Sequence, residues 1–290
     1  MAAIPSEGLR PASRLARLWN RSSSFVIGSA LVLLLVLVAA LCGYLTPYGA
    51  TQVLPNSILK PPSAQHWFGT DGNGMDVFTR VMYGARYAIA IAVPSALVMV
   101  LIGVPLGLAA GYYGGVIDEI LTRLLDVLRA FPSIILALAV VSATGQSLFN
   151  VVLVIGLIDA PIFARAVRSE VISIRRSDFV ASAIVTGNPT WRILFVHLLP
   201  NTIKGAAALL PLRMAWALRV SATLAFIGVG IQAPEPEWGA LIRQGAEYII
   251  SGQHWVALFP GLALVVAVFG FNLMGDGLQE LMDPRLDGRK

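Results

Sequence analysis

Long apolar runs separated by short charged connectors dominate the chain. Phe25–Leu45 has 21 residues without a charged side chain, enough to cross a hydrocarbon core of about 30 Å at about 1.5 Å per residue. Tyr87–Tyr113 is also uncharged, although Pro94 and Pro105 should kink it. The other apolar runs are Glu119–Ala143, Leu148–Ala166, Gly205–Gly230 and Trp255–Met274. The pattern therefore predicts an all-α protein with six transmembrane helices.

The run at Glu119–Ala143 differs from the others because its first part is amphipathic. Glu119, Arg123 and Asp126 are spaced as i, i+4 and i+7, and the sequence becomes wholly apolar only after Phe131-Pro132. We therefore expect a span with a polar cytoplasmic end.

The composition agrees with a membrane protein and argues against several other classes. Of 290 residues, 57% are hydrophobic and 13% are charged, against about 25% charged in soluble domains. The net charge of +5 does not indicate nucleic-acid binding, since no basic patch is interleaved with aromatic residues. A single cysteine, Cys42, excludes an intrachain disulfide, and three widely separated histidines disfavour a metal site within this chain.

The distribution of Lys and Arg predicts the orientation in the membrane. With the amino terminus inside, the inner connectors carry thirteen of these residues and the outer connectors carry four. The inner set is Arg10, Arg14, Arg17, Arg21, Arg165, Arg168, Arg175, Arg176, Arg192, Lys204, Arg285, Arg289 and Lys290, and the outer set is Lys60, Arg80, Arg86 and Arg243. Because positive charges favour the cytoplasmic side, both termini are expected to face the cytoplasm.

The chain is expected to form one membrane domain with short flanking tails. The predicted parts are a cytoplasmic tail at 1–24, a first transmembrane helix at 25–45, an extracytoplasmic loop at 46–86, a core domain at 87–274 and a cytoplasmic tail at 275–290. The core domain includes the longest inner connector, 167–204. No internal repeat of the kind found in many secondary transporters is visible.

The inner connector contains the signals of a short helix followed by a corner. Ser177 is a suitable N-cap, and Asp178 suits the positive end of the helix dipole. Gly187, followed by Asn188-Pro189, predicts a helix end with the glycine in the left-handed conformation. A second short helix is expected to begin at Thr190. The segment should thus be a helix, a sharp corner and a second helix that returns to the membrane.

Two interpretations of this short helix remain open from the residues alone. Its apolar side is expected to comprise Phe179, Val180, Ala183 and Ile184. That side could lie flat in the lipid headgroups, or it could dock into a groove of a soluble partner. The residues do not choose between the two.

The run "ASAIVTGNPTWRILFVHLLPN" resembles the cytoplasmic signature loop of permease subunits of ATP-binding-cassette importers. That loop has a Glu-Ala-Ala triplet, a glycine four residues after it and a terminal Leu-Pro. Ala181-Ser182-Ala183 stands at the triplet, Gly187 at the glycine and Leu199-Pro200 at the end. Ala181 replaces the glutamate of the pattern, so a charged contact is not expected there.

Three further segments resemble the second permease of dipeptide, oligopeptide and nickel importers. They read "HWFGTDGNGMDVFTRVMYGAR" at 66–86, "FIGVGIQAPEPEWGALI" at 226–242 and "FNLMGDGLQELMDPRL" at 271–286. Met75 stands where this subfamily usually has arginine, and Ser221 where it often has glutamate. The resemblance runs from about His66 to Leu286 and leaves the first span without a motif.

The resemblance implies a type I importer permease with a five-helix core and one additional amino-terminal helix, in the bacterial inner membrane. It implies four kinds of partner: a homologous sister permease, two cytoplasmic ATPases, an extracytoplasmic substrate-binding protein and the lipid bilayer. ATP and Mg would be bound by the ATPases, in keeping with the absence of a Gly-x-x-x-x-Gly-Lys-Ser/Thr loop from this sequence. The chain itself is thus expected to hold no cofactor and to be no enzyme.

The expected substrates are di- or oligopeptides. Nickel chelates, glutathione and opine-like solutes are alternatives within the same family, and a gradient-driven secondary transporter is a different class. That class predicts carboxylates on the transport path as well as repeats, and only Asp159 qualifies.

The resemblance also implies contacts for the partners. The residues expected to couple to the ATPase are Asp178, Phe179, Ala181, Ala183, Ile184, Gly187, Arg192, Leu199 and Pro200. Pro234, Pro236 and Trp238 are candidates for contact with the binding protein, although a rigid outer turn with an interfacial tryptophan is the favoured explanation.

Charged residues inside the predicted spans are candidates for the translocation path. They are Asp159, Arg213 and Arg219, each of which costs about 2.5 to 3.5 kcal/mol at the centre of a membrane helix. We expect one arginine to pair with Asp159 and the other to line the path; a structural ion pair or a contact with the sister permease is the alternative. Asp71 and Asp76 are expected to serve in a turn and a helix cap rather than in a cation site.

Overall fold

The computed structural model describes residues 22–282, and within them the regular structure is helical apart from one isolated bridge between Thr70 and Asp76. The helices are α1 Ser23–Leu45, α2 Val77–Tyr113, α3 Gly115–Ala130, α4 Ser133–Thr144, α5 Leu148–Ile174, α6 Asp178–Val185, α7 Thr190–Arg192, α8 Leu199–Ala207, α9 Leu210–Ile227, α10 Trp238–Ala246 and α11 Trp255–Met282. In this part of the chain α1, α2, α5, α9 and α11 are long and apolar enough to cross a membrane, and α3 with α4 makes a sixth span if that bent pair is counted as one. The predicted all-α membrane fold is confirmed.

Several predicted boundaries are corrected by the helix ends. α2 begins at Val77 rather than at 87, because Asp76 caps it by accepting a hydrogen bond from the Thr79 amide at 2.7 Å. The loop predicted at 46–86 therefore ends at 76. α5 continues to Ile174, so the predicted inner connector, 167–204, begins inside a helix. α11 continues to Met282, so the predicted tail, 275–290, also begins inside a helix. Outside the described residues lie the predicted tail positions Arg10, Arg14, Arg17, Arg21, Arg285, Arg289 and Lys290.

The predicted span Glu119–Ala143 is not one helix. α3 and α4 meet at Phe131-Pro132 and are bent by 84° relative to each other. Proline has no amide hydrogen for the helical ladder, and it forces the preceding residue out of the helical region, as the φ of −91° and ψ of 141° at Phe131 show. The amphipathic and apolar parts of the predicted span are therefore separate helices.

The amphipathic helix α3 is attached by its polar side. Arg168 of α5 donates two hydrogen bonds to the Asp118 carboxylate at 2.5 and 2.6 Å, and Arg165 forms an ion pair with Asp126. The apolar residues Ile120 and Leu124 face outward and are 60% and 58% exposed. α3 thus points its polar side at the protein and its apolar side at the surroundings, which suits lipid or another subunit better than water.

The most extensive helix packing is between α2 and α5. Glycines at three positions of α2, spaced by four, allow the two backbones to approach: a Cβ at Gly107 would lie 2.5 Å from the carbonyl oxygen of Ala164, and one at Gly103 would lie 3.0 Å from that of Ala160. The third, Gly111, faces the Val171 side chain. The pair forms the rigid centre of the bundle.

Replacing Gly107 with alanine should therefore destabilise the protein by about 1 to 3 kcal/mol, because the new methyl group meets backbone that cannot move aside. Gly261→Ala in α11 is the matched control, since a Cβ there meets no atom within 4 Å. Thermal unfolding of the purified protein in detergent measures both. A midpoint for Gly107→Ala at or above that of Gly261→Ala would contradict the packing described.

Candidate functional site

The short helix α6 ends in a corner built by glycine. Gly187 has a φ of 75°, the left-handed conformation that the sequence predicted. The amide of Asn188 donates to the Ala183 carbonyl at 3.1 Å, and the amide of Gly187 donates to the Ile184 carbonyl at 2.9 Å. These two bonds form a Schellman motif, which fixes the direction in which the chain leaves α6. At the other end, the Ser177 hydroxyl donates to the Ile174 carbonyl at 2.6 Å, so it does not cap α6 as expected.

The apolar residues of α6 differ in exposure. Val180 and Ala183 are buried, in one cluster with Val167 and Val171 of α5. Phe179 and Ile184 lie at the two edges of the same side of the helix and are 44% and 52% exposed. The helix is therefore attached to the bundle through small aliphatic side chains and presents larger ones outward.

The chain returns from the corner through α7, a π-helical turn at Ile193–Leu198, and α8. We call Asp178–Ala207 the α6–α8 segment. Ile193 and Leu198 anchor it in the same buried cluster, while Trp191 is 62% exposed. Of the predicted coupling residues, Asp178, Phe179, Ala181, Ile184, Gly187, Arg192 and Pro200 are exposed, Leu199 is partly buried and Ala183 is buried. Sequence reasoning missed Val185 and Trp191, two exposed apolar residues on either side of the corner.

The charged residues of the membrane spans are not equivalent. Asp159 of α5 is buried, and its Oδ1 lies 3.2 Å from Nη1 of Arg213 on α9. Arg219 lies on α9 as well, is exposed, and has no ion-pair partner among residues 22–282. The pair joins α5 to α9, and Arg219 is left as the free cation of α9 in the described region.

The turn at 228–237, which joins α9 to α10, leads into a tryptophan that is buried rather than exposed on the surface. Trp238 is only 5% exposed, and its Nε1 donates to the Val81 carbonyl of α2 at 3.0 Å, against the close surface left by Gly84. Pro236 is buried too. The prediction that these two residues contact a binding protein, and the alternative of an interfacial tryptophan, are therefore both wrong. Pro234 is exposed and remains a candidate.

A buried arginine, which sequence reasoning counted only as an outer positive charge, holds this end together. Arg80 of α2 is 1% exposed and forms an ion pair with Asp71 of the preceding loop. Its guanidinium also donates to Oε1 of Gln244 on α10 and to the Pro234 carbonyl, both at 3.1 Å. No local signal could have shown this, because two of the partners are more than 150 residues away in sequence.

The two acidic residues of the outer loop serve the structural roles predicted for them. Asp71 accepts hydrogen bonds from the amides of Asn73 and Met75 at 2.8 and 2.9 Å, which closes a turn. Asp76 caps α2, and its Oδ2 lies 3.0 Å from Nδ1 of His66. In the described part of the chain, no group of three or more His, Cys, Asp or Glu residues could hold a metal ion.

Glu237 is a buried acid outside the spanning helices. It precedes α10 and accepts a hydrogen bond from the Ala240 amide at 2.9 Å. Burial raises the pKa of Glu237 from 4.5 to about 7, against the opposing effect of hydrogen bonds from the backbone of Ala240 and Gly239. This carboxyl therefore gains a proton on folding at mildly acidic pH.

The bundle of long apolar helices defines a multi-pass membrane protein. The family described as "Binding-protein-dependent transport system inner membrane component" matches residues 103–288. The chain belongs to this family and is the permease subunit of an ATP-binding-cassette importer of the peptide and nickel type.

Individual relatives cover nearly the whole chain. A dipeptide transport system permease protein DppC of Alkalihalophilus pseudofirmus is 40% identical over 264 residues, 90% of this chain and 86% of the relative. Glutathione transport system permease proteins GsiD are similar as well: that of Pectobacterium atrosepticum is 39% identical over 93% of this chain and 90% of its own length, and that of Escherichia coli is 36% identical over 98% and 94%. The dipeptide and glutathione named for these three relatives both fall within the substrate classes expected from the sequence.

The raised pKa of Glu237 predicts a pH-dependent stability. Because the folded protein holds this proton more tightly than the unfolded chain, the contribution of Glu237 is present below about pH 4.5 and is lost as the pH rises through about 7. Glu237→Gln keeps the capping oxygen and should remove this component of the pH profile of the unfolding temperature between pH 4.5 and 7. Glu247→Gln, a change at an exposed residue just after the other end of α10, should leave the profile as it is. Identical profiles for wild type and Glu237→Gln would contradict the assignment.

Proposed function

We propose that this permease imports di- or oligopeptides that an extracytoplasmic binding protein delivers. The substrate proposal rests on the relative named as a dipeptide permease, which is 40% identical to this chain. The glutathione permeases among the relatives favour a second candidate, glutathione, which is itself a small peptide. Both substrates carry free carboxylates and an ammonium group, so the same transport path could serve either.

The proposed orientation places both termini and the α6–α8 segment in the cytoplasm. The excess of Lys and Arg on that side supports it. Arg80 with its partner Asp71, the turn at 228–237 and α10 then lie on the extracytoplasmic side. In this orientation the permease pairs with a sister permease, and two cytoplasmic ATPases bind the pair.

We infer that α6 docks into a groove of one ATPase. The observation that supports this is the exposure of Phe179 and Ile184 on a helix that its Schellman corner holds at a fixed angle. Large apolar side chains on a rigid short helix are typical of recognition by a groove in a protein partner. ATP and Mg would be held in the ATPases, which would perform the hydrolysis, while this chain is not catalytic.

The proposed cycle uses the buried contacts of α6 for transmission. ATP binding would close the ATPase dimer and draw the two docked helices together. Val180 and Ala183 would pass this movement to α5, with which they share a buried cluster. The permease pair would then open outward to the loaded binding protein, and hydrolysis with product release would reset it.

We assign a pathway role to Arg219 and a structural role to Arg213. Arg213 is committed to Asp159, whereas Arg219 is exposed on α9 and free to meet the carboxylate of a peptide. Contact with the sister permease is the alternative role of Arg219, and the Arg219→Gln variant distinguishes the two.

The experiment that tests the function is uptake of labelled Ala-Ala and labelled glutathione into proteoliposomes that contain this permease, its sister, both ATPases and ATP, with the binding protein outside. Uptake should require both ATP and the binding protein. Arg219→Gln should raise the KM for uptake while the complex stays assembled, as measured by size-exclusion chromatography. Loss of assembly in Arg219→Gln would assign this residue to the sister permease, and ATP-independent uptake driven by an ion gradient would contradict the proposal.

The corner at Gly187 gives a sharper test of coupling. A Cβ at this position meets no atom within 4 Å, so only the left-handed φ of 75° opposes substitution. Asparagine tolerates this conformation and valine does not. Gly187→Val should therefore abolish most uptake and binding-protein-stimulated ATPase activity, while Gly187→Asn keeps both. Equal activity of the two variants would show that the corner is not needed for coupling.

A further inference from the structure

A small cavity with both polar and apolar walls lies between the end of α9 and the helix α10, on the proposed extracytoplasmic side. Its volume is about 200 Å³. The polar side chains that line it are Arg243 and Gln244 of α10, Glu247 just after the end of α10, and Gln232 of the turn before it. It thus combines one positive group, one negative group and two amides, in a protein that is mostly apolar.

The two charges of the cavity are not used by the fold. Among residues 22–282, neither Arg243 nor Glu247 has an ion-pair partner, and neither side chain makes a hydrogen bond. They stand four residues apart, Arg243 in the last turn of α10 and Glu247 just after the helix end, and they do not form an ion pair. The guanidinium of Arg243 instead lies over Gly228, where any Cβ would collide with it. The charges of Arg243 and Glu247 are thus available to a ligand that carries a negative and a positive group.

The walls of the cavity are fixed by groups with structural partners. Oε1 of Gln244 accepts a hydrogen bond from the buried Arg80, which fixes the position of the Gln244 side chain. Gln232 is held on the other side, since its amide nitrogen contacts Gln146 and donates to the Gly228 carbonyl at 3.2 Å. Held walls around free charges are the arrangement expected of a pre-formed binding site.

We propose that this cavity is a receiving subsite for a short peptide with free termini, which binds its carboxylate to Arg243 and its ammonium group to Glu247. An arginine suits a carboxylate because its planar guanidinium donates two parallel hydrogen bonds. Sites for drug-sized ligands enclose about 300 to 1,000 Å³, so this smaller cavity fits a dipeptide-sized zwitterion or one end of a longer peptide. The proposal rests on the proposed function and specifies where the permease first holds the substrate.

The test measures direct binding of Ala-Ala to the complex of both permeases and both ATPases in nanodiscs, without the binding protein, by saturation-transfer NMR. The wild type should bind Ala-Ala, and Arg243→Gln should weaken binding at least about tenfold, with Arg243→Lys in between. Lys60→Gln, which removes another exposed positive charge on the same proposed side, should have no effect. Since Arg243 is exposed, its replacement should leave the fold intact.

Two modified peptides identify which group meets which charge. Ala-Ala amide lacks the carboxylate, so Arg243→Gln should weaken its binding little beyond the loss already caused by the amide. N-acetyl-Ala-Ala lacks the ammonium group and should be similarly insensitive to Glu247→Gln. If Arg243→Gln weakened Ala-Ala and its amide by the same factor, the proposed contact would be overturned.

Other outcomes separate this subsite from the function on which it rests. Normal Ala-Ala uptake by the complete importer, with no Ala-Ala binding to the complex that lacks the binding protein, would overturn the subsite alone. If Arg243→Gln changed only the binding-protein concentration for half-maximal ATPase stimulation, Arg243 would be a docking residue, and the subsite would again be overturned. Absence of any peptide uptake by the complete wild-type importer would overturn both proposals.

Discussion

The extracytoplasmic end of the molecule, in the orientation we propose, depends on the buried guanidinium of Arg80. A buried arginine is stable only when partners surround it. Removal of one partner of a buried ion pair typically lowers the free energy of unfolding by about 3 to 5 kcal/mol. Its partners are Asp71, Gln244 and the Pro234 carbonyl, from three separate parts of the chain. The loop before α2, the outer turn and α10 therefore form one unit, whose surface includes both the exposed Pro234 and the cavity beside Arg243.

The other end is built on the opposite principle. There the anchoring groups are small and apolar: Val180 and Ala183 hold α6 to the bundle, and the glycines of α2 hold α5 close to α2. Close-packed interiors deform little, so a displacement of α6 would be passed to the π-helical turn at Ile193–Leu198, which shares its buried cluster with α5. The Asp159–Arg213 pair links α5 to α9, the helix that ends beside the cavity at Arg243.

What the sequence predicted well was local. The left-handed corner at Gly187 and the capping role of Asp76 follow from residue types within a few positions of each other. The burial of Trp238 did not follow, because it depends on a glycine in α2, over 150 residues away, that leaves room for the indole. The break at Pro132 was visible in sequence but was taken for the start of an apolar half, since membrane helices often tolerate proline when neighbours satisfy the freed carbonyls. Long-range contacts, rather than element types, were what the sequence could not supply.

The outward-facing side chains of α6 also have a consequence for assembly. Phe179, Ile184 and Val185 are exposed apolar side chains that, in the proposed orientation, meet water until an ATPase covers them. A subunit without its partner therefore keeps apolar surface in water, and binding of the ATPase would remove it. The residues proposed to couple transport would thus also favour assembly of the complex.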